Sequence, residues 1–157
     1  MASREDMSRE DVGSWLEGGR RDDAGGGGRL GLPEAGSGSL ARLGRRVVAL
    51  VVDWAVATLI AYLVTSPASF AELNSWVTLG VFALENLLLV STVGFTIGHR
   101  LLGIKVRALG APEDIAPGFA RGAVRTVLLC LVIPAVVWDG DGRGLHDRAA
   151  GTVIVRR

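Results

Sequence analysis

Cysteine, histidine and lysine are almost absent from this chain of 157 residues, and each shortage excludes a class of protein. Cys130 is the only cysteine, so no intramolecular disulfide and no CxxC metal or redox motif can form. The two histidines, His99 and His146, stand far apart, and their spacing does not indicate a metal site. Lys105 is the only lysine, and the formal net charge of +1 gives no support for a nucleic-acid partner.

Sequence motifs of enzymes are also missing. The stretch GHRLLGIK at 98–105 resembles a phosphate-binding loop, but Ile104 separates its second glycine from Lys105 and no Ser or Thr follows. No nucleophile with its base, and no set of metal ligands, accompanies this stretch. We therefore expect a protein that is not an enzyme and has no cofactor and no bound metal.

The chain is rich in clustered apolar residues. Hydrophobic residues make up 49% of it, and they concentrate in runs at 47–64, 77–98 and 126–138. About 20 apolar residues are needed to cross a bilayer, so the first two runs are long enough and the third is marginal. The sequence therefore predicts an all-α integral membrane protein with two transmembrane helices. A third segment, at 119–138, either spans the membrane or folds as a short re-entrant hairpin.

Residues 1–39 differ sharply from the remainder. They are polar and glycine-rich, with too little apolar surface to offset the entropy of ordering the chain. We expect a disordered cytoplasmic tail at 1–39 and a membrane domain at 40–157. The first 38 residues contain no apolar segment typical of a cleaved signal peptide, so the first transmembrane helix is expected to direct insertion.

Basic residues in the loops predict the orientation in a bacterial inner membrane. Three arginines precede or open the first run, and the loop at 65–75 has no Lys or Arg. The connection at 99–125 is basic again, which places it and the N-terminus in the cytoplasm. Two β-branched segments, 103–109 and 152–157, read as short strands. If they pair, the C-terminus is also cytoplasmic, which favours a hairpin for the third segment.

Polar residues within the apolar runs are the candidate functional residues. Asp53 lies in the first run, where a carboxylate costs roughly 3 kcal/mol unless it is neutralised, paired or wetted. Arg46 precedes it by two helical turns, so the two share a face about 10 Å apart. We interpret Arg46 as a topology signal that reaches lipid phosphates. Asp53 is either a structural partner of Asn86, Thr58 or a basic residue, or a protonatable site for ion handling.

Three further features concern the second and third runs. Glu85 lies near the centre of the second run, where it and Asp53 would share a proton or a cation if they approached. An ion pair of either carboxylate with Arg125 explains the same residues without transport, and we favour that pair. Gly94 and Gly98 form a GxxxG spacing that predicts close helix packing.

Three stretches of the chain resemble the RDD family of small bacterial membrane proteins. They are GRRVVALVVDW, with Arg46 seven positions before Asp53, TIGHRLLGIKV at 96–106, and LHDRAAGTVIV, which contains Asp147. The family takes its name from one arginine and two aspartates separated in sequence, and the resemblance implies that these are Arg46, Asp53 and Asp147. The resemblance covers residues 40–155 and departs from the family pattern at Trp54 and at Ile97, where a proline often stands. It implies a multi-pass inner-membrane protein of generally unassigned role, and sodium–proton antiport is associated with part of the family.

These observations together lead to one expected function and one alternative. We expect an RDD-type protein of structural or accessory role, in contact with the lipid bilayer and assembled as a homo-oligomer or with a membrane partner subunit. The alternative is a cation/proton antiporter or proton-coupled transporter that uses Asp53 and Glu85.

Overall fold

The computed structural model describes residues 30–112, 115–131 and 143–157. Within these residues the chain forms five helices, one short 3-10 helix at Phe70–Glu72 and two strands. In chain order they are α1 (Leu43–Thr65), α2 (Ser75–Val93), α3 (Ile97–Leu101), β1 (Ile104–Ala108), α4 (Phe119–Cys130), α5 (Leu145–Ala150) and β2 (Thr152–Arg156).

The helices α1 and α2 are long and apolar enough to cross a membrane. With 23 and 19 residues they extend about 35 and 28 Å, close to the roughly 30 Å of a bilayer core. Only 22% and 28% of their most apolar stretches are buried within the protein, whereas a core helix of a soluble protein is mostly buried. Large side chains such as Val51 and Leu63 are more than 60% exposed. Their apolar surface therefore suits contact with lipid.

The second helix is shorter than the sequence predicted. Asn74 caps its start by accepting a hydrogen bond from the backbone N–H of Trp76 at 2.9 Å, and Gly94 ends it in the left-handed conformation with φ of 79°. The prediction of a continuous span at 77–98 is therefore wrong at its end. Gly94 and Gly98 do not form a GxxxG on one helix, because Gly98 lies on α3. Gly98 nevertheless permits a close approach, since a Cβ there would overlap the carbonyl oxygen of Ala49 on α1.

One face of α1 is buried along its whole length. The buried residues recur every three or four positions, as expected for one face of a helix: Arg46, Ala49, Asp53, Ala57 and Ala61. The alanines on this face let neighbouring helices approach closely, and α1 packs against both α2 and α3. Ala57, Phe82 and Leu129 form an apolar core cluster where α1, α2 and α4 meet.

The two strands pair as the sequence predicted. The strands β1 and β2 are antiparallel, with Ile104 opposite Arg156 and Ala108 opposite Thr152. The other edge of β2 is bridged by Leu40, which precedes α1. The segments before α1, after α2 and at the C-terminus are thus joined in one small platform around β1 and β2.

The prediction of disorder for residues 1–39 is wrong for residues 30–39. Leu32 is buried and packs with Val153 and Val155 of β2. The backbone N–H of Gly38 donates to the carbonyl oxygen of Arg156 at 2.9 Å. Apolar contacts and backbone hydrogen bonds to the platform order this part of the segment. Residues 1–29 lie outside the described part of the chain.

The third apolar segment begins with a short helix. With 12 residues, α4 is about 18 Å long, which is less than a bilayer core. It packs against α2 on one side and α5 on another. Residues 132–142 lie outside the described part, so a full span or a re-entrant hairpin at 119–138 stays a prediction.

Candidate functional site: a buried polar cavity

A cavity of about 310 Å³ lies beside the N-terminal half of α1, at the end that is predicted to face the cytoplasm. Its polar lining comes from every helix of the described chain: Arg46, Asp53, Asn86, His99, Arg125 and His146. Its apolar lining consists of Leu43, Val47, Leu50, Leu129 and Ile154. Polar side chains that are far apart in sequence therefore converge at one place.

Asp53 joins α1 to the start of α3. Its carboxylate accepts hydrogen bonds from the hydroxyl of Thr96 at 2.5 Å and from the backbone N–H of Gly98 at 2.6 Å. The side chain is almost fully buried. The absence of a side chain at Gly98 is required here, because a Cβ would stand 2.9 Å from a carboxylate oxygen of Asp53. Two hydrogen-bond donors thus offset the free-energy cost of burying this carboxylate.

Thr96 and His99 form a reciprocal cap at the start of α3. The Thr96 hydroxyl accepts from the backbone N–H of His99 at 3.2 Å, and Nδ1 of His99 accepts from the backbone N–H of Thr96 at 3.2 Å. Nδ1 therefore carries no proton, and the neutral ring has its hydrogen on Nε2. Burial, and then the positive charges of Arg125 and Arg46, lower the pKa of His99 to about 3. The ring is neutral at physiological pH.

A buried ion pair joins α4 to α5. Nη1 of Arg125 donates to Oδ1 of Asp147, and both side chains are almost fully buried. The hydroxyl of Thr152, the first residue of β2, donates to the same oxygen at 3.0 Å. Nε2 of His146 lies 3.5 Å from the other carboxylate oxygen. Asp147 is therefore the point at which α4, α5 and the sheet are held together.

A family model of the RDD family matches residues 40–151, which is well over half of the chain. This protein belongs to the RDD family. No curated protein and no solved structure matches it. The matched region contains the first two stretches from which the resemblance was inferred and the first seven residues of the third, and it contains the residues of the cavity up to His146. The polar site is thus part of the RDD region itself.

The structure brings two of the RDD protein's name-giving positions to the cavity. Arg46 and Asp53 both line it from the same face of α1, which confirms the shared face predicted from their spacing. Only 6% of Arg46 is exposed, so its side chain does not extend along the outer surface of the helix, and its role as a topology signal stays a prediction. Arg46 lies on the packed face of the first helical turn. Asp147, the third position, binds Arg125 beside the cavity.

The predicted partners of Asp53 are also corrected. Instead of contacting Asp53, the amide of Asn86 donates to the carbonyl oxygen of Phe82 at 3.1 Å, and the hydroxyl of Thr58 donates to that of Trp54. Each of these is a bond to the preceding turn of the same helix, four residues back. The actual donors to Asp53 are the N-cap residue of α3, Thr96, and the second residue of that helix, Gly98.

Glu85 and Arg125 do not form the pair that the sequence favoured. Arg125 pairs with Asp147 instead of Glu85 or Asp53, because α5 lies against α4. Glu85 is half-buried and does not line the cavity, where Asn86 is found instead. Glu85 is close enough to Asp53 for their charges to interact. The backbone N–H of Ile97 is the nearest donor that acts on its carboxylate.

Three residues of the site were not singled out from the sequence. Thr96 and His99 have the spacing of a helix N-cap and its N3 residue, so a search for capping boxes that admitted histidine would have found them. His146 carries no such signal. Its place in the cavity depends on the docking of α5 against α4.

Proposed function

We propose that this RDD protein has a structural or accessory role in the membrane and is not an enzyme. The observation that carries the proposal is the engagement of the Asp53 carboxylate by Thr96 and Gly98. A carboxylate held on both oxygens is a fixed link between elements. Asp147, whose Oδ1 accepts from both Arg125 and Thr152, provides a second link between elements.

These links explain why charged residues stand in an apolar environment. Most of the contact between membrane helices is apolar, and lipid offers equivalent apolar contact. Apolar contact alone therefore does not specify one arrangement of the helices. A buried carboxylate does specify one, because leaving it without its donors costs several kcal/mol. Asp53 fixes α3 against α1, and Asp147 fixes α5 and β2 against α4. We infer that the fold presents this platform in a defined position for a second copy or a membrane partner subunit.

The location and orientation belong to the same proposal. We infer a bacterial inner membrane with both termini in the cytoplasm, because the sheet that contains the C-terminal strand carries the basic residues Lys105, Arg107 and Arg156.

The structural role makes a prediction that separates it from transport. In Asp53→Asn, the amide oxygen can accept from Gly98 while the amide nitrogen donates to the Thr96 hydroxyl. That hydroxyl can then turn to Nδ1 of His99, which lies 2.5 Å away. We expect this variant to fold with a loss of about 1 kcal/mol, and Asp53→Leu to lose about 3 kcal/mol or more. Thermal unfolding in detergent measures both.

The same variants test the transporter alternative. Purified wild-type protein and Asp53→Asn are placed in liposomes, and sodium- or potassium-driven proton movement is followed with a pH-sensitive dye. A structural role predicts no protein-dependent flux in either. Flux in the wild type that is lost in a well-folded Asp53→Asn protein would make Asp53 the titrating site of a carrier.

A further inference from the structure

We propose that the cavity binds the phosphate group of an anionic membrane lipid, with the start of the acyl chain lying along α1. This inference does not depend on the structural role of Asp53 and Asp147. It rests on the charge of the cavity floor, on the apolar rim, and on the size and depth of the space.

Two buried guanidinium groups form the cationic part of the floor. Arg46 and Arg125 both line the cavity, and both are at least nine-tenths buried. Arg125 uses Nη1 for Asp147, while its Nε is buried and has no acceptor among the described residues. Guanidinium groups bind phosphate through several N–H donors at once, which makes arginine well suited to this ligand. An oxyanion in the cavity would give Nε of Arg125 an acceptor.

The remaining charge in the cavity favours an anion over a cation. Asp53 is the only carboxylate in the described lining, and both of its oxygens already accept hydrogen bonds from Thr96 and Gly98. Burial is the main cause of the lowered pKa of His99, and the charges of Arg125 and Arg46 lower that pKa further.

The rim of the cavity is apolar and lies where a lipid headgroup meets its chain. Leu43, Val47 and Leu50 line the cavity and are each more than a third exposed. They occupy the first two turns of α1, and thus the level at which a membrane helix enters the bilayer. Basic pockets between transmembrane helices on the cytoplasmic side suit anionic headgroups. At about 310 Å³ the space is at the small end for ligand sites, so it suits a headgroup with the start of one chain.

The experiment compares two neighbouring arginines. The full-length protein is placed in nanodiscs of phosphatidylcholine, and binding of a fluorescent phosphatidylglycerol is titrated for wild type, Arg46→Gln and Arg45→Gln. Arg45→Gln is the matched control. It removes the same charge from the neighbouring residue, which is exposed and lies outside the cavity. We expect binding to weaken about tenfold or more in Arg46→Gln and by less than about twofold in Arg45→Gln.

A second variant distinguishes loss of the binding site from a folding defect in Arg46→Gln. Leu50→Trp fills the rim and leaves every charge in place, so we expect it to weaken lipid binding while thermal unfolding stays close to wild type. Equal loss of binding in the two arginine variants would overturn the proposal in favour of general surface attraction. Unchanged binding in Leu50→Trp would also overturn it. Inorganic phosphate is added as a competitor, and competition at millimolar concentration would identify a free anion, and not a lipid, as the ligand.

Discussion

At the scale of single residues, the site depends on which polar groups are neutral and which are charged. Asp53 and Asp147 are carboxylates held by specific donors, whereas His99 acts as a neutral acceptor in a helix cap. The neutral histidine is required, because its Nδ1 must accept the backbone N–H of Thr96. Protonation would replace that acceptor by a donor, next to two buried arginines.

The neutral state of His99 predicts a dependence of stability on pH. The folded pKa of about 3 lies below the ordinary value of 6.5, so below pH 6.5 the unfolded chain binds a proton that the folded protein does not. The free energy of unfolding should therefore fall as the pH is lowered from 6.5 towards 3, by up to about 1.4 kcal/mol per pH unit from this residue. Above pH 6.5 this residue should contribute no pH dependence.

Thermal unfolding at pH 7 and pH 5, for wild type and His99→Asn, measures this contribution. The amide oxygen of asparagine takes the place of Nδ1 as an acceptor, but the side chain does not titrate. We expect the stability difference between the two proteins to shrink or reverse at pH 5. A difference that stays constant between the two pH values would show that His99 is not held neutral by the fold.

At the scale of elements, the close contact of α3 with α1 depends on Gly98. A Cβ at this position would overlap the backbone carbonyl of Ala49, which cannot move without shifting α1. We expect Gly98→Ala to lose about 3 kcal/mol or more, since it also displaces the donor to Asp53. Gly80→Ala is the control, because a Cβ at Gly80 of α2 has no neighbour within 4 Å. It should be neutral or stabilising by up to about 1 kcal/mol.

Denaturation of the two glycine variants in detergent measures these effects. Equal stability of Gly98→Ala and Gly80→Ala would mean that α3 does not pack on α1 as described.

The sequence predicts the positions of some of these elements better than those of others. Long, mostly apolar runs locate α1 and α2, and β-branched residues identify β1 and β2, because both signals are local. The end of α2 was missed because the apolar pattern continues past Gly94, while the turn there depends on the glycine's positive φ and on the hydrogen bond from Val106 to its carbonyl oxygen. The hydrogen bond comes from a strand residue twelve positions later, so the sequence around Gly94 does not indicate it.

The partners of the buried charges were harder to predict than the charges themselves. The pattern shows that Asp53 and Arg125 are exceptional residues in apolar surroundings. It does not show that a backbone N–H, at Gly98, supplies one of the donors to Asp53. Nor does it show that Arg125 prefers Asp147, which requires the docking of α5 on α4.

At the scale of the whole molecule, the platform determines which ends of the chain lie together. β2 is bonded on one edge to β1, which follows α2, and on the other to Leu40, which precedes α1. The start of α1, the end of α2 and the C-terminal strand therefore share one side. Both α1 and α2 can cross the membrane between these points. Because this side is rich in arginine, it is expected to face the cytoplasm.

Reporter fusions test this arrangement. We expect green fluorescent protein fused after Arg157 to be fluorescent, and alkaline phosphatase fused there to be inactive. Phosphatase fused in the loop between α1 and α2, after Ser69, should be active and serves as the positive control. An active phosphatase after Arg157 would place the C-terminal strand outside and would contradict its pairing with β1 on the cytoplasmic side.

The central claim is that buried charge pairs hold this fold together, and a double-mutant cycle on Arg125 and Asp147 tests it most directly. Unfolding free energies are measured for Arg125→Met, Asp147→Asn and the double variant in the same detergent. Each single change leaves one buried charge without its partner, so we predict a loss of about 3 kcal/mol or more for each. The double variant should lose less than the sum, by at least about 1 kcal/mol. Losses that simply add would contradict the claim, because they would show that the two side chains do not stabilise the fold through each other.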